Sequence, residues 1–169
     1  MGENICVSSA CGRILMSEEC FDMVRRGASK KGDVFGMARA AGIMGAKRTS
    51  ELIPLCQALR LEGVEIEFTF ESDICGVEST CTVTTTDSCG AEMEALTGAG
   101  IALMTIYDMC KSVDRGLSIE DVHLLRKSGR RGERVFQNND SGELKLWGEK
   151  EVTQQPKRGD ASDVSLWEM

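Results

Sequence analysis

The stretch GVEIEFTFE, residues 63–71, alternates apolar and polar side chains and constrains the fold more than any other part of the chain. Apolar side chains from Val64 to Phe70 would lie on one face of a strand, with the polar residues between them on the other. A second alternating run, VESTCTVTTT, follows the turn SDICG. The two runs therefore predict an antiparallel hairpin with one buried face and one solvated face.

Helical patterns flank this hairpin on both sides. Before it, Ser17 and Asp33 are the expected N-caps of a short helix and of a longer helix rich in glycine and alanine. After it, residues 90–115 predict a long helix, and IEDVHLLRK predicts a further strand. Antiparallel strands with two long helices indicate an α+β sandwich, with the helices packed on one face of the sheet.

The chain length allows one domain with flanking segments. Its 169 residues and hydrophobic content of 41% fit a single apolar core. We expect a flexible leader over residues 1–12, a folded domain over residues 13–132, and a polar, disordered tail over residues 133–169. In that tail, LKLW and VSLW are short apolar segments that could dock elsewhere.

Charge and cysteine content exclude several function classes. A formal net charge of −7 opposes a broad nucleic-acid surface, so any anion site must rest on a local basic cluster. No apolar run approaches the roughly 20 residues that span a bilayer, so no membrane partner is expected. Eight cysteines without an export signal or a CxxC pair, and with His123 as the sole histidine, predict free thiols and no metal site. The expected compartment is the cytoplasm, with the mitochondrial matrix as the alternative.

Charged residues of the predicted long helix are the first chemical candidates. Glu92 and Glu94 would point about 200° apart on a helix, so the two acids should not serve one pocket. Glu94 and Asp108 share a face but lie roughly 21 Å apart along the axis. An antiparallel partner helix across a two-fold axis would bring them together, which favours a site at a dimer interface. Asp108 and Lys111 are neighbours three residues apart, and a simple ion pair is the alternative.

Two basic clusters are candidate phosphate sites. Lys30 and Lys31 precede a predicted helix N-terminus, where free backbone N–H groups favour anions. The run LLRKSGRRGER places Arg131 among other arginines and glycines, and a guanidinium can bind a phosphate through two hydrogen bonds. A solvated, charged loop is the alternative interpretation.

Four segments together resemble the MoaC family, the cyclic pyranopterin monophosphate synthases of molybdenum cofactor biosynthesis. They are KKGDVFGMARAAGIMGAKRT, LIPLC, GAEMEALTGAGIALMTIYDMCK and LLRKSG. The resemblance implies a ferredoxin-like two-layer sandwich assembled as a homohexamer, a trimer of dimers, with active sites at subunit interfaces. It also implies a lyase reaction in which a cyclic dihydroguanosine triphosphate becomes the pyranopterin and pyrophosphate leaves, without a metal or another cofactor.

The resemblance also implies the site residues. Asp108 matches the active-site aspartate of the family, and Lys31 and Lys111 match its lysines for phosphate contact and proton transfer. Glu92 is then the acid that turns elsewhere. The implied substrate-binding residues are Leu55, Cys56, Gln57, Met93, Glu94 and Arg131.

Departures from the family pattern raise a second hypothesis. Gln57 and Ala58 stand where the family has histidine and proline, and glutamine cannot shuttle a proton near neutral pH. Arg131 stands where lysine is usual, and arginine is a poor proton donor. The N-terminal strand of the family has no substitute in MGENICVSSACG. The chain is therefore either a synthase or an impaired relative that acts as a binding or assembly subunit.

Overall fold

The computed structural model describes residues 5–87, 90–129, 132–137 and 145–147. In chain order, the helices and strands of this part are β1 (Cys6–Leu15), α1 (Glu18–Arg25), α2 (Val34–Lys47), α3 (Thr49–Leu52), β2 (Leu61–Glu71), β3 (Gly76–Thr85), α4 (Glu92–Cys110), β4 (Ser118–Gly129), β5 (Gly132–Gln137) and β6 (Lys145–Trp147). A turn of 3-10 helix, Ser72–Ile74, connects β2 to β3.

The strands form one antiparallel sheet in the order β2-β3-β1-β4-β5-β6. The predicted hairpin is confirmed as β2 and β3, with Ile66 paired to Cys81. Helices α2 and α4 pack against each other, and both contact the sheet. The predicted α+β, ferredoxin-like sandwich is therefore confirmed. Among the described residues, no helix is long and apolar enough to cross a membrane.

Glycine lets the two long helices approach closely. A Cβ atom at Gly42 of α2 would lie 2.7 Å from the carbonyl oxygen of Gly98 on α4. A backbone neighbour that close leaves no room for a side chain, because a packed interior has almost no slack. The glycines of both helices thus allow α4 to pack closely against α2. This packing fixes where the two ends of α4 lie.

The predicted N-caps are confirmed. The Ser17 hydroxyl accepts a hydrogen bond from the Cys20 backbone nitrogen at 3.3 Å, and the Asp33 carboxylate accepts one from the Gly36 nitrogen at 3.0 Å. Both side chains satisfy an N–H group that the first helical turn leaves unpaired. The cap at Asp33 fixes where α2 begins and so where the lysines before it lie.

The long helix ends earlier than the sequence predicted. α4 stops at Cys110 rather than continuing to residue 115. Beyond it, the Asp114 carboxylate accepts hydrogen bonds from the backbone nitrogens of Ser17, at 2.6 Å, and Gly116, at 2.7 Å. These two bonds hold the chain in a turn toward the start of α1, because an aspartate competes with helical pairing for nearby N–H groups.

The predicted flexible leader over residues 1–12 is wrong from Cys6 onward. β1 occupies the middle of the sheet, between β3 and β4, so it provides the strand that the sequence analysis found missing. Residues 8–12 of this strand are buried, including neighbours that face opposite sides of the sheet. A strand buried on both faces shows no polar–apolar alternation, and small serine, alanine and cysteine side chains hid it further.

The predicted disordered tail over residues 133–169 is wrong where β5 and β6 form. β5 pairs with β4 through Arg134 opposite Lys127, and β6 pairs with β5 through Leu146 opposite Phe136. Residues 145–147 of the LKLW segment thus form the strand at this edge of the sheet, whereas VSLW lies outside the described residues. These strands escaped prediction because the backbone hydrogen bonds that attach them to the sheet leave no local pattern in the sequence.

Candidate active site

A cluster of ionised side chains surrounds the C-terminal end of α4, and we call it the cationic cluster: Lys31, Asp108 and Lys111. The Lys111 ammonium lies 2.7 Å from an Asp108 carboxylate oxygen. The Lys31 ammonium donates a hydrogen bond to the Asp108 backbone carbonyl oxygen at 2.7 Å. Three residues predicted for the site are thus brought together within one chain.

Local structure explains how Lys31 reaches the end of α4. Lys31 lies just before the Asp33 cap of α2, and Gly32 between them has a φ of 99°, a left-handed conformation that favours glycine. This turn directs Lys31 across to the last turn of the neighbouring helix. A cation there is stabilised, because unpaired carbonyl groups make a helix C-terminus partly negative.

The charges of the cationic cluster stabilise each other. A hydrogen bond from Lys111 lowers the pKa of Asp108, and the positive charges of Lys111 and Lys31 lower it further. The same hydrogen bond raises the pKa of Lys111. Asp108 and Lys111 are therefore both ionised at neutral pH. Both are open to solvent, with exposed side-chain fractions of 64% for Asp108 and 57% for Lys111. The cluster presents two ammonium groups around one carboxylate.

A cavity of about 360 Å³ lies at the opposite, N-terminal end of α4, and we call it the acidic cavity. Its lining residues are Cys56, Gln57, Leu59, Gly90, Glu92, Met93 and Glu94. They include four of the predicted substrate-binding residues. The lining combines carboxylates, a thiol, an amide and apolar groups, which suits a ligand with hydrogen-bond donors and a ring.

Glu94 is the most buried acid of this cavity, with a 3% exposed fraction. Its carboxylate accepts a hydrogen bond from the Cys56 thiol, with 3.5 Å between Sγ and Oε1. Burial raises the pKa of Cys56, and the charge of Glu94 and the hydrogen bond to it raise it further. The thiol therefore stays protonated at neutral pH and acts as a donor rather than as a nucleophile.

The prediction that Glu92 turns away from the pocket is wrong. Glu92 lines the acidic cavity together with Glu94, and its carboxylate also forms an ion pair with Lys127 of β4. The two acids do point in different directions, but the cavity covers the end of the helix rather than one side of it. Side chains of a first helical turn lean toward the N-terminus, so both acids can border the same space.

The sequence analysis placed Lys127 in the candidate phosphate-binding run LLRKSGRRGER, but it did not predict that Lys127 would contact Glu92 and Gly90. A Cβ atom at Gly90 would lie 2.9 Å from the Lys127 ammonium, so the lysine side chain passes close to the backbone there. A glycine two residues before a helix was a signal for such an approach, but the partner on β4 could not be identified without the fold.

Leu55 and Arg131 are the remaining predicted substrate-binding residues. Leu55 is 96% exposed and does not line the acidic cavity in this chain. Arg131 lies outside the described residues. Among the described residues, no group of three side chains could hold a metal ion.

The fold and these two groups define a ferredoxin-like α+β protein that carries a cationic cluster and an acidic cavity at opposite ends of one helix. The model of the MoaC family matches residues 3–130, and the chain belongs to that family. The match includes β1, of which the sequence analysis placed residues 6–12 outside the folded domain.

Three curated relatives carry the name cyclic pyranopterin monophosphate synthase. The protein from Heliobacterium modesticaldum is 50% identical over 120 residues, which cover 71% of this chain and 76% of the relative. The protein from Natranaerobius thermophilus is 48% identical over 120 residues, with the same coverage. The protein from Novosphingobium aromaticivorans is 49% identical over 123 residues, which cover 73% of this chain and 77% of the relative.

Proposed function

We propose that this protein is a cyclic pyranopterin monophosphate synthase of molybdenum cofactor biosynthesis. The proposed reaction converts 3',8-cyclo-7,8-dihydroguanosine 5'-triphosphate to cyclic pyranopterin monophosphate and releases pyrophosphate. The meeting of Lys31, Asp108 and Lys111 at one end of α4 carries this proposal. Family membership and the names of the relatives support it. The free thiols of seven cysteines in the described residues fit a reducing compartment such as the cytoplasm.

The cationic cluster fits the chemical demands of this reaction. Departing pyrophosphate gathers negative charge, and ammonium groups fixed beforehand stabilise that charge more effectively than mobile water does. Lys31 and Lys111 would provide them. The ring rearrangement also requires proton transfers, for which Asp108 and Lys111, paired at 2.7 Å, are the candidate groups. Glu94 would contact the substrate from the acidic cavity.

The active site we propose is shared between two copies of the chain. α4 runs unbroken from Glu92 to Cys110, so Glu94 and Asp108 lie about 21 Å apart along its axis. A second α4, antiparallel to the first across a two-fold axis, would set the acidic cavity of one copy beside the cationic cluster of the other. The proposed assembly is a homohexamer built from such dimers.

The outer surface of the helix layer supports this association. Met37 and Met44 of α2 and Met104 of α4 are 56%, 54% and 52% exposed. Nothing lies within 4 Å of the position that a Cβ atom at Gly100 would occupy. Apolar side chains in water, beside a glycine that leaves the backbone accessible, suit helix-to-helix contact with a second copy.

Pyrophosphate release from the cyclic triphosphate tests the proposal. The purified protein should release pyrophosphate, and Asp108→Asn should lower kcat by about 100-fold or more, because the amide cannot accept a proton. Asp73→Asn is the matched control, since it removes an exposed acid in the turn between β2 and β3. No release by the native protein, or equal rates for the two variants, would contradict the proposed function.

A second candidate function rests on Gln57. This residue lines the acidic cavity where the family pattern has a histidine, and its amide cannot exchange a proton near neutral pH. The alternative is therefore an impaired relative that binds the triphosphate or assembles with an active partner. Binding of the triphosphate without pyrophosphate release would favour this alternative over the synthase.

A further inference from the structure

Glu94 is held by an uncommon donor for a buried carboxylate. Within the described residues, its one hydrogen bond from a side chain comes from the Cys56 thiol, and no ion pair neutralises it. A buried carboxylate is unfavourable unless a donor compensates for the water it has lost. The position of Glu94 in the cavity therefore depends on where Cys56 lies.

Cys56 lies on the loop that also carries Gln57. The loop turns after α3, where the Cys56 backbone nitrogen donates a hydrogen bond to the Ile53 carbonyl at 3.0 Å. The Cys56 thiol lies 3.5 Å from the Glu94 carboxylate and 3.8 Å from the Gln57 carbonyl oxygen. The Cys56 thiol thus links this loop to the first turn of α4. Gln57 on the loop and Glu94 on α4 both line the acidic cavity.

We propose that Cys56 is a positioning residue of the active site: its thiol holds the Glu94 carboxylate in place and couples it to the Gln57 loop. Cys56 takes no part in bond making. It orients an acid that contacts the substrate, as residues behind a catalytic group commonly do. This inference rests on the proposed function, because it concerns the geometry in which the triphosphate reacts.

Removing the donor should slow the reaction while leaving substrate binding nearly intact. Cys56→Val keeps an apolar group of similar size without the donor, and Cys56→Ala removes both. We expect each to lower kcat about tenfold with a smaller change in KM, since a hydrogen bond to a charged group has that size of effect. Cys56→Ser keeps a donor and should stay within about threefold of the native rate.

Two comparisons separate positioning from a general loss of structure. Cys75→Ala is the matched control, because Cys75 is another partly buried thiol, placed in the turn between β2 and β3. It should leave kcat unchanged. In a double-mutant cycle on the residual rate of pyrophosphate release, Cys56→Val should have no further effect in a Glu94→Ala background, because that background has no acceptor for the thiol to hold.

The outcomes distinguish this inference from the proposed function. If the native protein releases no pyrophosphate, both proposals fail. If the native protein is active and Cys56→Val and Cys56→Ala both match Cys75→Ala, the positioning role alone fails. Equal losses for Cys56→Ser and Cys56→Val, or additive losses in the double-mutant cycle, would also overturn it, because the hydrogen bond would then not be the cause.

Discussion

A site shared between two copies predicts that two inactive variants restore each other. Glu94→Gln disables the acidic cavity, and Asp108→Asn disables the cationic cluster. In a dimer of one variant with the other, one site contains both substitutions and the second site contains neither. Equal amounts and random pairing make half of the dimers mixed, so about one quarter of all sites should be intact.

This prediction follows from the length of α4. Glu94 and Asp108 lie on one rigid helix, about 21 Å apart along its axis. A side chain reaches only several ångströms, so a single chain cannot bring the two carboxylates to one substrate. Activity from the mixture therefore requires that each substrate touch both copies.

Co-expression of the two variants under different affinity tags, with sequential purification on both, isolates the mixed assembly. Pyrophosphate release is then compared with each variant alone. Asp108→Asn mixed with Lys111→Ala is the matched control, because both residues belong to the cationic cluster and every site then carries one of the two substitutions. The control should stay inactive. A mixed assembly of the first pair at background rate, or equal recovery in the control, would refute the shared site.

Three further predictions concern single positions. Gln57→His should raise kcat about tenfold or more if the missing histidine limits proton transfer, whereas Gln57→Asn should not; equal rates would show that position 57 is not limiting. Lys111→Ala should raise the pKa of Asp108 toward its ordinary value, so that its carboxylate protonates at higher pH; an NMR titration measures this shift, and an unchanged midpoint would contradict the pairing. Gly42→Ala should destabilise the fold by about 1–3 kcal/mol in denaturant melts, because the added methyl group would clash with the neighbouring helix. Gly100→Ala faces open space and should not lower the free energy of unfolding of the monomer. Equal stability of the two variants would contradict this packing.

Features that depend on near neighbours in the chain were predictable from the sequence. The alternation of residues 64–71 identified the hairpin, because side chains of a strand face opposite sides in turn. Ser17 and Asp33 marked the starts of α1 and α2, because their short polar side chains satisfy free N–H groups. The pairing of Asp108 with Lys111 followed from helical spacing.

Features that depend on distant segments were decided only by the tertiary structure. β1 was misjudged because burial on both of its faces removes the alternation that identifies a strand. The contact of Lys31 with Asp108 and the ion pair of Glu92 with Lys127 join residues far apart in sequence. No local pattern encodes such a contact, because it arises when separate helices and strands bury their apolar faces against one another. The residue types of the site and the separation of Glu94 from Asp108 along α4 were therefore legible in the sequence, whereas the distant residues that join each end, Lys31 and Lys127, were set by packing.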